Sequence, residues 1–343
     1  MRHILNQEAK QKSFAIGYSG GLDSTLLAFI FGRFYSQGQI HLITAQHDFG
    51  HIFVSWPLKH VRDLRQKLGS KRVFHHYAHI KNEFKRLVIE DCWQTYKKFG
   101  RSNFFVCLGC SLAMDVHMIC YCLENMVPST IWGYTPRGSD FAAVGLPETC
   151  RGRRQIYARF GLLYRVPLSE WHMEKEEERD IYRQFNIWPG WRFRKIAMGV
   201  QPPCLWGIAM HHLDICFEIH PQIDRRQVVS FIEDRAPIVE ELVYANLAAR
   251  GIFDVKERIE FMRHLNADEW SKYGPDGPIL DNREERRLIS QGARIPSIAL
   301  KKFPNTVPLF DHESLSRDGR SLLRVIKTDQ NLDNSPECDL TGD

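Results

Sequence analysis

Short apolar runs alternate with longer amphipathic segments along residues 1–220. The apolar runs predict strands at 14–19, 40–46, 72–78, 130–134 and 162–167, and the intervening segments predict helices at 23–35, 54–68, 81–99 and 111–126. Strands separated by helices of about 10–15 residues form βαβ units. The pattern therefore predicts an α/β fold with a doubly wound parallel sheet and helices on both faces. Ligands of such sheets bind at the carboxyl ends of the strands.

The pattern changes beyond residue 220. Two amphipathic segments, 224–251 and 255–274, predict helices, and each ends at a glycine that suits a helix C-cap. We therefore divide the chain into an α/β domain at 1–220 and a C-terminal helical extension at 221–327. Residues 328–343 hold five acids, no Lys or Arg and few apolar residues, which predicts a disordered acidic tail.

The composition is that of an ordinary globular protein, with 343 residues, 43% hydrophobic and 25% charged. No uninterrupted apolar run reaches the roughly 18 residues that a membrane span requires, so no membrane partner is expected. The first residues, MRHILNQEAKQKS, lack the apolar block of a signal peptide, which favours a cytoplasmic location. The net charge of +5 permits a polyanionic partner and equally well describes a solvated surface.

The sequence YSGGLDST follows the first predicted strand and opens the first predicted helix. Its glycines allow a sharp turn and close approach to a ligand, and the free amides of the helix start favour an anion. The hydroxyl groups of Ser19, Ser24 and Thr25 add donors. Asp23 would repel a phosphate unless a cation such as Mg²⁺ lies between them. The bland alternative is that Asp23 only caps an ordinary helix.

The SGGLDS segment resembles the pyrophosphate loop of the AMP-forming ATP pyrophosphatases, whereas neither GxxxxGK[ST] nor GxGxxG occurs. This resemblance implies a Rossmann-like fold of the adenine nucleotide alpha-hydrolase (HUP) type. It also implies ATP and Mg²⁺ as ligands of the loop. The residues that would hold them are Ser19, Gly20, Gly21, Asp23, Ser24 and Thr25.

Further segments are similar to the 7-cyano-7-deazaguanine synthase branch of these enzymes. The segment AQHDFGHIF contains Asp48, IWGYTPRGSDFAAVGLPETCRG contains Asp140, and YRVPLSEWHMEKEE follows. The resemblance implies a catalytic role for Asp140 beside Asp23 and Ser24, and a nucleotide contact for Asp48. The alternatives are an Asx-turn at Asp140 and a turn-shaping role for Asp48.

The cysteines are arranged differently from that branch. Cys107 and Cys110 form a CxxC motif placed just before a predicted helix, and Cys204 follows two prolines. This layout resembles the 2-thiocytidine tRNA synthetases, which implies an iron–sulfur cluster, while thiolates also suit Zn²⁺. Redox or packing roles remain alternatives for the CxxC motif. The candidate fourth ligands are Cys216, His117, His211 and His212, and the cysteines predicted to lie in the core are Cys92, Cys120 and Cys122.

The resemblance implies that a substrate oxygen attacks the α-phosphorus of ATP, giving AMP and pyrophosphate. The leading hypothesis is carboxylate activation for amide or nitrile formation. The alternatives are a tRNA or small-molecule sulfurtransferase and a non-catalytic nucleotide-binding protein. The expected partners are ATP and a small-molecule or macromolecular acid or nucleobase acceptor, with nucleic acid and a second copy of the chain as further candidates. The arginines of 151–154 either bind an anion or form a solvated face. Residues 188–195 combine aromatic and basic side chains, which either bind nucleic acid or pack in the core.

Overall fold

A parallel sheet of five strands organises the computed structural model of the chain. The described residues are 13–35, 38–50, 57–99, 103–134, 143–171, 173, 175–185, 191–193, 196–198, 204 and 224–275. The strands are β1 (Phe14–Gly17), β2 (Ile40–Gln46), β3 (Val73–His79), β4 (Ser129–Ile131) and β5 (Leu163–Arg165). Their order is β3-β2-β1-β4-β5, with every pairing parallel. The predicted α/β fold with a parallel sheet is confirmed.

Helices connect the strands and cover the sheet. They are α1 (Leu22–Ile30), α2 (Pro57–Leu68), α3 (Lys81–Phe84), α4 (Cys92–Phe99), α5 (Asn103–Asn125), α6 (Pro147–Arg159), α7 (Pro167–Glu170), α8 (Lys175–Phe185), α9 (Arg225–Ala249) and α10 (Val255–Tyr273). One π-helical turn extends α1 and another follows α3. A separate two-stranded antiparallel ribbon is formed by β6 (Trp191–Phe193) and β7 (Ile196–Met198).

Helix α5 begins earlier than the sequence predicts. The predicted start at residue 111 is wrong, because the helix already begins at Asn103 and carries the CxxC motif within it. Buried side chains at Phe105, Leu108 and Leu112 extend the apolar stripe upstream at helical spacing. Gly109 belongs to the same turn, where a Cβ atom would lie 2.7 Å from a methyl carbon of Val88. The motif therefore lies in a packed helix rather than in front of one.

Helix α5 is also long and strongly apolar. Residues 105–125 are long and apolar enough to span a membrane by length and composition, but 78% of the window is buried inside the protein. The helix shares a hydrophobic cluster with α6, α9 and α10, to which Val116, Ile156, Val239 and Met262 contribute. Burial against these helices accounts for its apolar character.

The predicted C-terminal helices are confirmed as α9 and α10. They pack against the sheet region, since Val243 and Leu247 of α9 belong to the same cluster as α5. Asn266 of α10 donates hydrogen bonds to the carbonyl oxygens of Pro128 and Gly161, at 2.8 and 2.9 Å. The described part of the helical extension thus supports the loops next to β4 and β5. The predicted tail at 328–343 and residues 276–327 lie outside the described residues.

Candidate nucleotide and cysteine sites

The glycine turn lies at the carboxyl end of β1, the central strand. β2 pairs with one edge of β1 and β4 with the other. The chain moves outward from β1 to β2 and β3 and then returns to the opposite side through β4. This is the switch point at which open α/β sheets form a crevice for ligands. The YSGGLDST loop therefore lies where open α/β sheets bind their ligands.

The turn itself depends on Gly20. Its φ of +74° is in the left-handed region, and a Cβ atom at this position would lie 2.9 Å from the Cα atom of Pro57. Gly21 is the N-cap of α1 and supplies no capping side chain. Its own N–H donates to Ser19 Oγ at 3.2 Å. The first amides of α1 are thus left without a side-chain cap, as an anion-binding helix start requires.

The loop residues differ in exposure. Gly20, Gly21, Ser24 and Thr25 are buried, whereas Ser19 and Asp23 are half-buried. The Ser24 hydroxyl lies 3.3 Å from Gly21 O and 3.3 Å from Ser19 Oγ. Ser19 and Asp23 are therefore the side chains of this loop that a ligand can reach.

The remaining hydroxyl of the loop points into the protein. Thr25 Oγ1 donates to Tyr18 Oη at 3.4 Å, and burial raises the pKa of Tyr18 well above its ordinary value. From α8, the buried Tyr182 donates a hydrogen bond to the carbonyl oxygen of Leu22. The negative charge of Asp23 contributes to the raised pKa of Tyr182, after burial as the main cause. These contacts fix the first turn of α1 from two sides.

The segment after β4 touches this loop directly. A Cβ atom on Gly133 would lie 3.2 Å from Asp23 Cβ and 3.2 Å from the backbone nitrogen of Ser24. The neighbouring Trp132 ring packs on the end of β1, where a Cβ atom on Gly17 would lie 2.5 Å from Trp132 Cε3. Glycine at these positions allows the two carboxyl-end loops to meet. Asp140, predicted on the second loop, lies outside the described residues.

Two of the three arginines in the basic segment at 151–154 form neither a free anion site nor a solvated face. Arg153 and Arg154 are buried, while Arg151 is exposed. Arg153 donates to both carboxylate oxygens of Asp115, at 2.7 and 2.6 Å. Arg154 lies 3.6 Å from the buried carboxylate of Glu170. Both expectations are therefore wrong for these two arginines, because internal carboxylates neutralise them.

Asp48 also has a partner within the protein. Its carboxylate lies 3.0 Å from Lys81 Nζ, with both side chains about half exposed. An exposed pair of this kind contributes little to stability, so Lys81 does not prevent Asp48 from contacting a ligand. The nucleotide contact of Asp48 stays a prediction.

The three candidate cysteines lie within electrostatic range of one another. Cys107 is exposed as a residue, yet burial of its thiol raises its pKa to about 11, and the nearby Cys204 adds to the rise. Burial raises the pKa of Cys110 further still, with Cys107 and Cys204 contributing. Cys204 therefore lies close enough to the CxxC motif to influence the pKa of both thiols. Within the described ranges, no group of three or more His, Cys, Asp or Glu side chains has metal-binding spacing.

The other cysteines and the candidate fourth ligand have clear positions. Cys120 and Cys122 are in the core as predicted, but Cys92 is exposed at the first residue of α4, so its prediction is wrong. His117 is buried, with its Nε2 atom 3.2 Å from Nε2 of His76. Cys216, His211 and His212 lie outside the described residues.

The sequence analysis did not predict that Asp115 of α5 forms a buried ion pair with Arg153. Its signal was available, since Asp115 is a single carboxylate within the apolar segment SLAMDVHMIC. An isolated acid in a buried helix needs a buried cation, and Arg153 supplies it. No comparable pattern identified Arg153, which stands among other arginines.

No protein-family model matches the chain. No curated protein matches it either. Among solved structures, the U34-tRNA thiolase NcsA from Methanococcus maripaludis, with its 4Fe-4S cluster, is similar at 11% identity and a TM-score of 0.32, over 69% of this chain and 81% of that chain. NMN synthetase from Francisella tularensis is similar at 11% identity and a TM-score of 0.36, over 78% of this chain and 93% of that chain. Similarity at this level establishes no activity.

Proposed function

We propose that this chain is an ATP-dependent enzyme that adenylates a substrate oxygen and releases pyrophosphate. One observation carries the proposal: an uncapped helix start with a glycine turn and Asp23 lies at the switch point of a parallel sheet. Such a site binds a polyphosphate through amides and needs a cation beside the carboxylate. The SGGLDS sequence of this turn resembles the pyrophosphate loop of the AMP-forming ATP pyrophosphatases, which supports ATP as the polyphosphate.

The proposed step transfers AMP to the acceptor. The acceptor oxygen attacks the α-phosphorus, the bond to the bridging oxygen breaks, and pyrophosphate leaves with the electron pair. Loop amides and the Ser19 hydroxyl stabilise the leaving group, and Ser24 and Thr25 hold the loop in shape. Asp23 would hold Mg²⁺, which neutralises charge on the phosphates when it is bound. The second loop, through Asp140, would face the acceptor.

The acceptor chemistry has two candidates. In the first, a carboxylate is activated for nitrogen attack, as in 7-cyano-7-deazaguanine synthase, and the cysteines hold Zn²⁺. In the second, an activated nucleobase or small molecule receives sulfur, and Cys107, Cys110 and Cys204 hold an iron–sulfur cluster. The layout of the CxxC motif and the distant Cys204 along the sequence, which resembles that of the 2-thiocytidine tRNA synthetases, supports the second candidate.

The experiment measures AMP and pyrophosphate released from ATP and Mg²⁺ by the purified chain. One arm contains carboxylic acids with ammonia, and the other contains tRNA with sulfide under anaerobic conditions. Asp23→Asn should abolish release, because it removes the charge and keeps the shape. Asp63→Asn, which changes an exposed carboxylate of α2, is the matched control and should retain activity. A chain that binds ATP but never forms AMP with any acceptor would be a nucleotide-binding protein without this activity.

A further inference from the structure

Two large aromatic side chains lie on the outer face of α4. Trp93 is 62% exposed and Tyr96 is 49% exposed. Their rings stack with centroids 5.4 Å apart and planes 11° apart, as residues three apart share one helix face. Aromatic side chains of this size bury most of their area in a folded protein. This α4 aromatic pair therefore has no role in the core.

The opposite face of α4 is held firmly. Arg235 of α9 donates to Thr95 Oγ1 at 2.6 Å and to the carboxylate of Asp91 at 3.0 Å. The Phe99 ring packs on Phe105 of α5, with centroids 5.1 Å apart. These contacts fix the helix from within, so the exposed pair is presented by a rigid element.

A lysine lies beside the α4 aromatic pair. Lys97 Nζ lies 5.2 Å from the centroid of the Trp93 ring, and no carboxylate of the described residues is within ion-pair distance of it. The neighbouring acids each pair with a cation. The cations of this surface are Lys85, Arg86, Lys97 and Lys98, the acids are Glu90, Asp91 and Asp234, and the buried Arg235 pairs with Asp91 and Asp234 from beneath. The cations exceed the acids, which favours an anionic ligand.

We propose that the α4 aromatic pair is a stacking site for single-stranded nucleic acid. Bases stack on Trp93 and Tyr96, and a phosphate lies beside Lys97. Aromatic side chains flanked by cations are how proteins bind single strands without reading their sequence. A protein partner would instead favour a wider apolar surface that excludes charge from its centre. Two stacked rings beside a lysine fit nucleobases better than they fit a protein partner.

The contact of α4 with α5 lies on the face opposite the aromatic pair. Phe99 at the end of α4 packs against Phe105 of α5, which is two residues from Cys107. The helix that presents the pair is therefore packed against the helix that carries the CxxC motif. The stacking site does not depend on the adenylation chemistry, because binding can be measured without ATP.

The test measures fluorescence anisotropy of labelled oligo(U) and oligo(dT) with the full chain. Trp93→Ala should weaken binding about tenfold, as expected for the loss of one stacked base. Trp93→Phe should retain most of the affinity, since the ring remains. Lys97→Ala should lower the slope of log affinity against log salt by about 0.7. Phe253→Ala is the matched control, because Phe253 is 81% exposed at the turn between α9 and α10.

Four outcomes would overturn the proposal, three of them in the binding assay and one in sedimentation. The first is no binding of either oligonucleotide at low salt, and the second is equal affinity of the Trp93→Ala and Phe253→Ala variants. The third is equal binding of a duplex, which would indicate contacts to the backbone alone. If Trp93→Ala instead abolishes self-association in sedimentation, the pair contacts a second copy and the nucleic-acid proposal fails. Thermal melting of each variant checks that the fold is intact.

Discussion

Arg153 and Asp115 form an ion pair in which neither side chain reaches solvent. Two hydrogen bonds of 2.7 and 2.6 Å join the guanidinium to the carboxylate, and Tyr157 donates a third to the same carboxylate at 2.6 Å. The guanidinium also lies 4.5 Å from the centroid of the Trp132 ring. Trp132 in turn packs on Gly17. A continuous path of contacts therefore connects α5, which carries the CxxC motif, with the end of β1 and the glycine loop.

Breaking this ion pair on one side should destabilise the protein strongly. Asp115→Asn leaves a buried guanidinium without its counter-charge, so we expect a loss of about 3–5 kcal/mol in the free energy of unfolding. The double variant Asp115→Leu with Arg153→Met should recover most of this loss, because it removes both charges. Urea denaturation of the single and double variants measures the effect. Asp48→Asn is the control, since its exposed pair with Lys81 contributes at most about 1 kcal/mol.

A methyl group at Gly133 should disturb the glycine loop specifically. In Gly133→Ala the new Cβ atom would lie 3.2 Å from two loop atoms, so the loop must shift by a few tenths of an ångström. If the loop positions pyrophosphate, AMP formation should fall by about tenfold with little change in melting temperature. Gly251→Ala is the control, because a Cβ atom there meets nothing within 4 Å and its φ of +74° costs stability alone. Unchanged AMP formation in Gly133→Ala would contradict the role of this contact.

The sequence was sufficient for the sheet and its loop because both depend on local patterns. The strand FAIG, the turn at Gly20 and the start of α1 are determined by adjacent residues. The partner of Asp115 was not predictable, since Arg153 is 38 positions away and resembles a solvated arginine in its own segment. The same reason explains Cys92, where helical periodicity alone did not indicate which face is buried. Tertiary packing, rather than propensity, decides such positions.

Buried histidines should make the protein sensitive to mild acid. Burial lowers the pKa of His117 to about 3 and that of His41 to about 4. The folded state keeps these rings neutral, whereas the unfolded chain protonates near its ordinary pKa of about 6.5. Stability is therefore full above about pH 6.5 and is lost as the pH falls toward 4, by about 2 kcal/mol for each histidine at pH 5.

The measurement for this effect compares urea midpoints at pH 7.5 and 5.0 for the natural chain and His117→Gln. The variant should lose less stability between the two pH values, by about 2 kcal/mol. Other groups also face His117, namely Arg250, His76 and His79. Because His76 contacts His117 directly, the difference measures His117 together with any change that its replacement causes in His76. Equal pH dependence in both proteins would show that this histidine is not a source of acid sensitivity.

The cysteine site makes a prediction that separates a metal centre from ordinary packing. Cys107→Ser, Cys110→Ser and Cys204→Ser should each lower the bound metal of freshly isolated protein, because each removes one of the three candidate thiol ligands. Cys92→Ser is the matched control, since Cys92 is exposed on α4 and should leave the metal content unchanged. Metal analysis with an optical spectrum under anaerobic conditions is the measurement. Absorbance near about 400 nm with bound iron supports sulfur transfer, whereas colourless protein with zinc supports amide formation. Metal content that is equal in the natural chain and all four variants would exclude these three cysteines as ligands, and the raised pKa values of Cys107 and Cys110 would then reflect their burial.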